Sequence, residues 1–571
     1  MTIITDYKNE DQFRRTILEN PVINEDRYTH LIKKIAEEGM TLYVLFILAI
    51  FPLAVHDKYF DILKFRYELY WKVTCGVLVF YSILGLTGLI IRRQKNIATS
   101  HKADHKIADN KVGEVEETIE HTKGKKELLN LVKNTISKTD LFFFLFIISM
   151  GISTLFAPYQ YEAFWGNRGR NQGFFIWIWF FVSYFLITRF YHPKKWHIWV
   201  ILLGAMLPCI WGIVGFFLYD PLRFFTNVEE KYQYIFTSSF GNINTYSSYT
   251  GMMLAVSAIT YTISKDKLTT WISFISLIIV SFAHIMSVSD NTVLSSAAVF
   301  ASLPFLTWSE DGRFIRSMIV LFIFMMAMCV TGMIWSTGLW TMNRVGSSTL
   351  ISLGTYKAFQ ICTAAILLII FLYFLQKRKS GSLFDDKQYR ILKQAFCSLL
   401  LCGVALTILI LIYVNTGHDL SVGYTIGRFL TFNDDWGTGR GLSWRLGLTY
   451  YLKRMGLFQK LFGYGPDTYY IIMVDHYLDI MVKSPFDIFD SAHNEYIEYL
   501  ITTGAFGLFL YLGMLITTIR NGFFKKNNSL SIAAALAVFT YSIQAVVNIA
   551  IPIVTPIFIV YMSIAAILKK I

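Results

Sequence analysis

Long apolar runs, separated by shorter polar and basic segments, make up most of this 571-residue chain. Many of the runs are roughly 17–23 residues long, the length that an α-helix needs to cross the hydrocarbon core of a membrane. The pattern therefore predicts an all-α, polytopic integral membrane protein with about 14 transmembrane helices. One long water-compatible segment interrupts the second half of the chain, between the eleventh and twelfth predicted helices.

The apolar runs divide the chain into six segments. They are a cytosolic leader (1–38), two accessory transmembrane helices (39–91), a charged cytosolic insert (92–140), a transmembrane core (141–415), a large extracytoplasmic loop (416–503) and C-terminal transmembrane helices (504–571). The first two spans are placed at 39–55 and 69–91. The insert is rich in lysine and glutamate, a composition typical either of solvated helices or of a flexible loop.

Basic residues cluster in alternate loops and give the chain a formal net charge of +13. The clusters are Arg92–Lys95, Lys194–Lys195, Lys265–Lys267, Arg313–Arg316, Lys377–Lys379, Arg520–Lys526 and Lys569–Lys570. Because cytoplasmic loops carry an excess of Lys and Arg, we expect both termini in the cytosol and the large loop outside. A positive charge that is spread over many loops argues against nucleic acid as a partner.

The large loop ends in a run from Ser491 to Gly507 that leads into an apolar helix. If this run is one helix, His493, Gly504 and Gly507 fall on one stripe. The two glycines would then let a neighbouring helix come close, as small residues do inside membranes. An imidazole near the water interface can move a proton on or off a hydroxyl, although a lone histidine there can also be purely structural.

The spacing of this run resembles the signature of the O-antigen ligase and polymerase superfamily. The matching residues are His493-Asn494, nine residues, Gly504, two residues and Gly507. Members of this superfamily are bacterial membrane glycosyltransferases that use lipid-linked sugar donors. The resemblance implies that His493 engages the acceptor hydroxyl, as a general base or as its positioning partner. It also implies an inverting, metal-independent reaction without a cofactor, in the bacterial cytoplasmic membrane.

Arginines near the start of the large loop are candidates to bind a diphosphate, which the fork of the guanidinium group suits. Arg440 matches the family's loop pattern, and Arg445 lies near it. The segment from Leu442 to Met455 has apolar residues on one face, which predicts an amphipathic helix along the outer membrane surface. Contact with lipid headgroups is the alternative role for these arginines.

A short outer loop from Trp165 to Gly173 holds Arg168 and Arg170, against the usual charge bias of outer loops. We expect a second phosphate contact here. Arg170 is favoured because Arg-x-x-Gly resembles the family's first outer loop. Contact with a lipid or sugar surface is the alternative.

Four further residues are candidates for binding substrate. Asn244 is expected either to bind sugar hydroxyls or to cap the sixth span. Glu498 follows the histidine within about a turn and a half of helix and is expected to orient it or to bind the acceptor. Asn494 adjoins the histidine, and Tyr464 is an aromatic residue suited to stacking on a sugar. The remaining candidates have structural roles or are solvated: Gly463 and Gly465 shape a turn, and the aspartates of the large loop are expected to face water.

The sequence thus favours a glycosyltransferase that transfers or polymerises glycan from a polyisoprenyl-diphosphate donor onto an acceptor hydroxyl. A polymerase is preferred to a ligase because the chain has no evident docking domain for a large acceptor. The expected partners are the donor, a glycan, lipid or wall acceptor, membrane lipids and other envelope polysaccharide assembly proteins. A polysaccharide or lipid transporter and a non-catalytic scaffold are the alternatives. Transport is disfavoured because few ionisable residues lie within the predicted spans.

Overall fold

The computed structural model describes residues 21–107, 136–167, 169–309, 311–338, 348–380, 384–418, 430–486, 488–524 and 529–567. Within these residues the chain is helical and contains no strand, which confirms the predicted all-α class.

Twenty α-helices follow one another along the described chain. They are α1 (Pro21–Leu45), α2 (Ile62–Ile107), α3 (Lys138–Leu155), α4 (Gln160–Trp165), α5 (Phe174–Phe190), α6 (Lys195–Phe216), α7 (Ile243–Ile263), α8 (Lys267–Ile285), α9 (Asn291–Thr307), α10 (Asp311–Thr337), α11 (Thr349–Thr355), α12 (Lys357–Ser380), α13 (Asp386–Asn415), α14 (Trp436–Lys453), α15 (Leu457–Phe462), α16 (Tyr469–Lys483), α17 (Glu495–Thr502), α18 (Gly504–Phe524), α19 (Ser529–Gln544) and α20 (Thr555–Ala566).

Ten of the described helices are long and apolar enough to cross a membrane, judged by length and composition. They are α1 with the turn that follows it, α2, α3, α6, α8, α10, α12, α13, α18 and α19. Three shorter apolar helices, α5, α9 and α20, lie among them. These thirteen and α7 occupy the positions of the predicted spans, and the count of about 14 crossings remains a prediction.

Helix α7 forms the centre of the bundle. Every residue from Thr245 to Thr262 is buried, and the helix packs against α8, α9 and α19. Many of its side chains are Ser, Thr, Gly or Ala, which allow helices to approach closely where no water is present. A Cβ atom on Gly251 would lie 2.8 Å from the Cβ of Ser295 on α9, so the backbone of α7 and that side chain are in close contact.

The two N-terminal helices differ in extent from the predicted segments. Helix α1 begins at Pro21 within the predicted leader and ends at Leu45, where a π-helical turn (Phe46–Ile50) and a 3₁₀ turn that contains Pro52 (Phe51–Leu53) follow. Helix α2 continues without a break from Ile62 to Ile107 and so passes into the predicted insert. The polar residues after position 91 include good helix formers, such as Lys, Arg and Gln, and extend the apolar span as a polar helix. Residues 1–20 and 108–135 lie outside the described part of the chain.

Arg66 attaches α2 to the bundle. Its side chain is fully buried and donates hydrogen bonds to the carbonyl oxygens of Pro52 at 2.7 Å and Ser239 at 2.6 Å. Its guanidinium group also lies 4.8 Å from the ring centroid of Phe240. The accessory helices therefore pack directly against the segment that leads into α7.

The predicted large loop is a folded helical unit with a core of its own. Its buried apolar residues are Leu442, Leu446, Tyr450, Met455, Tyr464, Tyr469, Ile472, Met473, Tyr477, Met481, Phe489, Ala492 and Ile501. Leu442 and Leu446 on α14, and Met455 just after it, are buried in this core, because α14 packs against α16 and α17. Leu452 in the same predicted segment is exposed, so the predicted apolar face is only partly buried. The position of this helix along a membrane surface remains a prediction.

Two leucines of α14 test this packing. Leu446 is 2% exposed and Leu452 is 65% exposed. We expect Leu446→Ala to cost about 2–5 kcal/mol, since it leaves a cavity in the core of the unit. Leu452→Ala should change stability by about 0.5 kcal/mol or less. The rate of amide hydrogen exchange in α14 and α16 measures the loss of stability in each variant. Equal losses in the two variants would contradict the assigned packing.

Candidate active site

The run from Ser491 to Gly507 is not the single helix that was expected. His493 has a left-handed backbone with φ of 49°, and the side chain of Asn494 caps α17 by accepting from the Tyr496 and Ile497 amides. Helix α17 ends at Thr502, and α18 starts at Gly504, where φ is +76°. The predicted stripe of His493, Gly504 and Gly507 is therefore wrong, because the cap and the left-handed glycine break the run into a turn and two helices.

The turn that carries His493 is held from two sides. The carbonyl oxygen of Ala492 accepts from Nε1 of Trp444 on α14 at 2.8 Å. The amide of Ala492 donates to Oε2 of Glu498 on α17 at 2.7 Å. Within the turn, Nδ1 of His493 lies 3.0 Å from Oγ of Ser491. These contacts fix the backbone on which the imidazole stands.

The glycine turn before α16 contacts the C-terminal end of α17, the helix that follows the His493 turn. The amides of Tyr464 and Gly465 donate to the carbonyl oxygens of Ile501 and Thr502, at 3.1 and 3.0 Å. These carbonyls belong to the last turn of α17, where no intrahelical partner remains. Gly463 has a φ of +88°, and a Cβ atom there would clash with the Thr502 carbonyl. The predicted turn is thus also the C-terminal cap of α17.

Asp467 joins the large loop to the first outer loop. Its Oδ2 accepts from the amides of Asn167 at 2.8 Å and Gln172 at 2.9 Å, on either side of Arg170. Asp467 itself has a left-handed φ of 59°. The guanidinium group of Arg170 then forms an ion pair with Asp490, three residues before His493. One aspartate of the large loop positions this arginine, and another binds it.

Arg440 reaches the site through an unusual turn. Gly437, Thr438 and Gly439 all have positive φ values, of 61°, 59° and 91°. The Nη1 atom of Arg440 donates to the carbonyl oxygen of Gly437 at 2.7 Å. Its Nε is buried and has no hydrogen-bond partner among the described residues. A buried guanidinium with an unused N–H is suited to an anionic ligand.

His493 interacts electrostatically with both arginines. Burial lowers the pKa of His493, and the positive charges of Arg170 and Arg440 lower it further. The imidazole is therefore neutral at neutral pH. Burial alone would raise the pKa of Asp490, but the charge of Arg170 and its hydrogen bond lower it on balance. A neutral imidazole, two guanidinium groups and one carboxylate thus form the centre of the site.

Two buried carboxyl groups stand beside this centre. Burial raises the pKa of Asp467 to about 7 and that of Glu498 to about 8. The hydrogen bonds that each accepts from backbone amides work in the opposite direction. Both groups therefore titrate close to neutrality, unlike ordinary carboxyls.

Several predicted substrate-binding residues have structural partners instead. Arg445 forms a bidentate ion pair with Asp434, with both N···O distances at 2.7 Å, and is half exposed. Tyr464 is buried against Tyr450 within the loop core.

Asparagine side chains also serve as structural contacts. Asn244 accepts from Oγ of Ser289 at 2.7 Å, and it is Asn242 that caps α7. Asn494 caps α17. Arg168 lies outside the described residues.

Asp467 and Asp490 are the residues that sequence reasoning missed, because all aspartates of the large loop were expected to face water. The turn Gly463-Tyr-Gly-Pro466 marked the neighbourhood of Asp467. No local pattern showed that its partners lie about 300 positions earlier in the chain. Across the described ranges, no group of three His, Cys, Asp or Glu residues is arranged to hold a metal ion.

Residues 347–512 match a family model described as O-antigen ligase. The match confirms the resemblance to the O-antigen ligase and polymerase superfamily. The matched range includes Arg440, His493 and Gly507 but not Arg170. A search among curated proteins found no match.

Two glycines in this region make a matched test of the backbone contact with α17. Gly463→Ala adds a Cβ against the Thr502 carbonyl at a positive φ, whereas a Cβ at Gly456 meets nothing within 4 Å. We expect Gly463→Ala to cost roughly 1–3 kcal/mol and to loosen the His493 turn. Gly456→Ala should cost about 1 kcal/mol or less. Thermal unfolding in detergent compares the two, and a fully stable Gly463→Ala protein would contradict the assigned contact.

Proposed function

We propose that this chain, whose residues 347–512 match the O-antigen ligase family, transfers glycan from a polyisoprenyl-diphosphate donor to an acceptor hydroxyl. The reaction takes place at the outer face of the bacterial cytoplasmic membrane, and polymerisation is preferred to ligation. The observation that carries the proposal is the convergence of Arg170, Arg440 and His493 from three separate stretches of chain. Both termini are then cytosolic, and other envelope polysaccharide assembly proteins are the expected partners.

The arginines bind the diphosphate in this mechanism. Among the described residues, Arg440 has a buried N–H without a partner, and Arg170 forms an ion pair with the carboxylate of Asp490. Guanidinium groups in a site with little water stabilise the charge that develops on a leaving diphosphate. They supply the positive charge that a metal ion supplies in other phosphate sites, so the reaction requires no metal.

Binding of the donor prepares His493 to accept a proton. The free site lowers the pKa of His493 through burial and through the charges of Arg170 and Arg440. A diphosphate beside the arginines would offset those charges, and the pKa of the imidazole would rise. His493 is then a better general base when the donor is present, which favours attack by the acceptor only in the ternary complex.

Displacement at the anomeric carbon proceeds in one step. The acceptor oxygen attacks from the face opposite the diphosphate, its proton passes to His493, and the diphosphate leaves with the bonding electron pair. A single displacement inverts the anomeric configuration. No covalent glycosyl–enzyme intermediate is involved.

The decisive experiment incubates the protein in nanodiscs with a polyisoprenyl-diphosphate oligosaccharide and resolves the products by size. A ladder made without an added acceptor identifies a polymerase. Consumption of donor only when a second acceptor is present identifies a ligase. His493→Ala should abolish either product, and a variant that keeps full transfer would contradict the assignment. Failure of the wild type with every donor would favour transport or scaffolding.

Arg440 and Arg445 form a matched pair for testing the diphosphate contact. Arg440→Ala should lower kcat by about 10²–10³-fold, because it removes a donor aimed at the developing charge. Arg445→Ala should have little effect, since Arg445 is exposed and already paired with Asp434. Initial rates of transfer measure both, and equal losses in the two variants would contradict this division of roles.

A further inference from the structure

A small, partly open chamber lies beside the turn that carries His493. Its lining includes Arg170, Gln172, Asp467, Ser491, Glu498 and Tyr499. Its volume is about 30 Å³, against the roughly 10–15 Å³ that one water molecule needs. The chamber is therefore large enough for water.

The walls of this chamber carry unused hydrogen-bonding groups. Gln172 is 9% exposed, and both polar atoms of its amide lack a partner within the described residues. Tyr499 is 6% exposed, and its hydroxyl also lacks a hydrogen-bond partner within the described residues. Buried polar groups normally bond to protein or to ordered water. Water is thus the ligand that fits the size and the lining of the chamber.

The chamber is connected to the catalytic imidazole through Ser491. Nδ1 of His493 lies 3.0 Å from Oγ of Ser491, and Ser491 lines the chamber. On the other side, Glu498 lines the same chamber and accepts from the Ala492 amide. A proton on Nδ1 can therefore reach the Glu498 carboxylate through Ser491 and the chamber.

We propose that the proton released by glycosyl transfer leaves His493 through Ser491 and the water of this chamber, and that Glu498 takes it up, with Asp467 as a second carboxylate beside it. This proposal rests on the proposed glycosyltransferase function. It assigns Glu498 the role of proton acceptor rather than that of a substrate contact.

The atoms balance without any further reactant. The bond between the acceptor oxygen and the anomeric carbon forms, and the bond between that carbon and the diphosphate oxygen breaks. The acceptor proton passes to Nε2 of His493, and the Nδ1 proton passes to Oγ of Ser491. The hydroxyl proton of Ser491 moves through water to the Glu498 carboxylate.

Charged and titratable groups face Glu498 from every neighbouring segment. They are Arg170 on the first outer loop, Asp467 before α16, Tyr469 on α16, Asp490 on the loop before α17, and Glu495 and Tyr499 on α17 itself. Burial raises the pKa of Glu498 to about 8, with Asp467 and Asp490 raising it and Arg170 lowering it. In the free site, burial raises the pKa of Glu498 and lowers that of His493, so Glu498 is the stronger proton acceptor of the two.

The pH dependence of transfer tests the proposal. An acceptor carboxylate must be deprotonated to act, so the wild-type rate should rise with pH through about 8 and then level off. Glu498→Gln keeps an oxygen for the Ala492 amide but cannot take a proton. We expect this variant to lose the rise and to be slower by about tenfold or more at high pH. Asp467→Asn, which keeps an oxygen for the Asn167 and Gln172 amides, should flatten the profile in part.

The control is Asp479→Asn, the same change at an exposed position on α16, which should leave the profile unchanged. If the wild type makes product and both Glu498→Gln and Asp467→Asn keep its pH profile, the proton path is wrong and the glycosyltransferase function stands. A uniform loss of rate with an unchanged profile would mean that Glu498 only supports the turn, and it would also overturn the path. If the wild type makes no product, the function itself fails.

Discussion

Two guanidinium groups and an imidazole can share a buried site only if nearby carboxylates compensate the positive charge and the backbone that carries the three side chains is rigid. Arg170 and Arg440 repel one another where little water screens them. The structure offsets this with carboxylates, since Asp490 forms an ion pair with Arg170 and Asp290 faces Arg440. The positive charges of the two arginines nevertheless lower the pKa of His493. If the donor diphosphate binds to these arginines, as proposed, the binding of donor and the basicity of the imidazole are coupled.

The second requirement is a rigid frame, which is built mostly from backbone contacts. Left-handed residues occur at each critical point, at Thr438 before Arg440, at Asp467 and at His493. Such conformations are costly for residues other than glycine and persist only where the surroundings hold them. Here the surroundings include two kinds of hydrogen bond. The amides of Tyr464 and Gly465 donate to carbonyl oxygens at the end of α17, and the Trp444 indole donates to the carbonyl oxygen of Ala492. The folded large loop is therefore the structure that aligns the site.

The proposed proton path would give a reason for carboxyl groups to be buried so near two arginines. In the proposed mechanism the base has a pKa that neighbouring arginines lower, so it holds a proton poorly and a second group accepts it. Glu498 and Asp467 have the opposite character, because burial raises their pKa values into the neutral range. Under this proposal, the group that contacts the acceptor is distinct from the group that stores the proton.

The sequence alone determined the all-α class, the apolar helices and the family signature around His493, because each depends on local periodicity or on a short spacing. It also indicated Arg440 and Arg170 as basic residues in unusual places. The tertiary structure decided the rest. It broke the expected helix at Asn494 and Gly504, buried part of the predicted apolar face of α14 in a core, and paired Arg445 with Asp434. It also brought Asp467 to amides about 300 positions away. Such contacts depend on how distant segments pack, and no local pattern of residues records that.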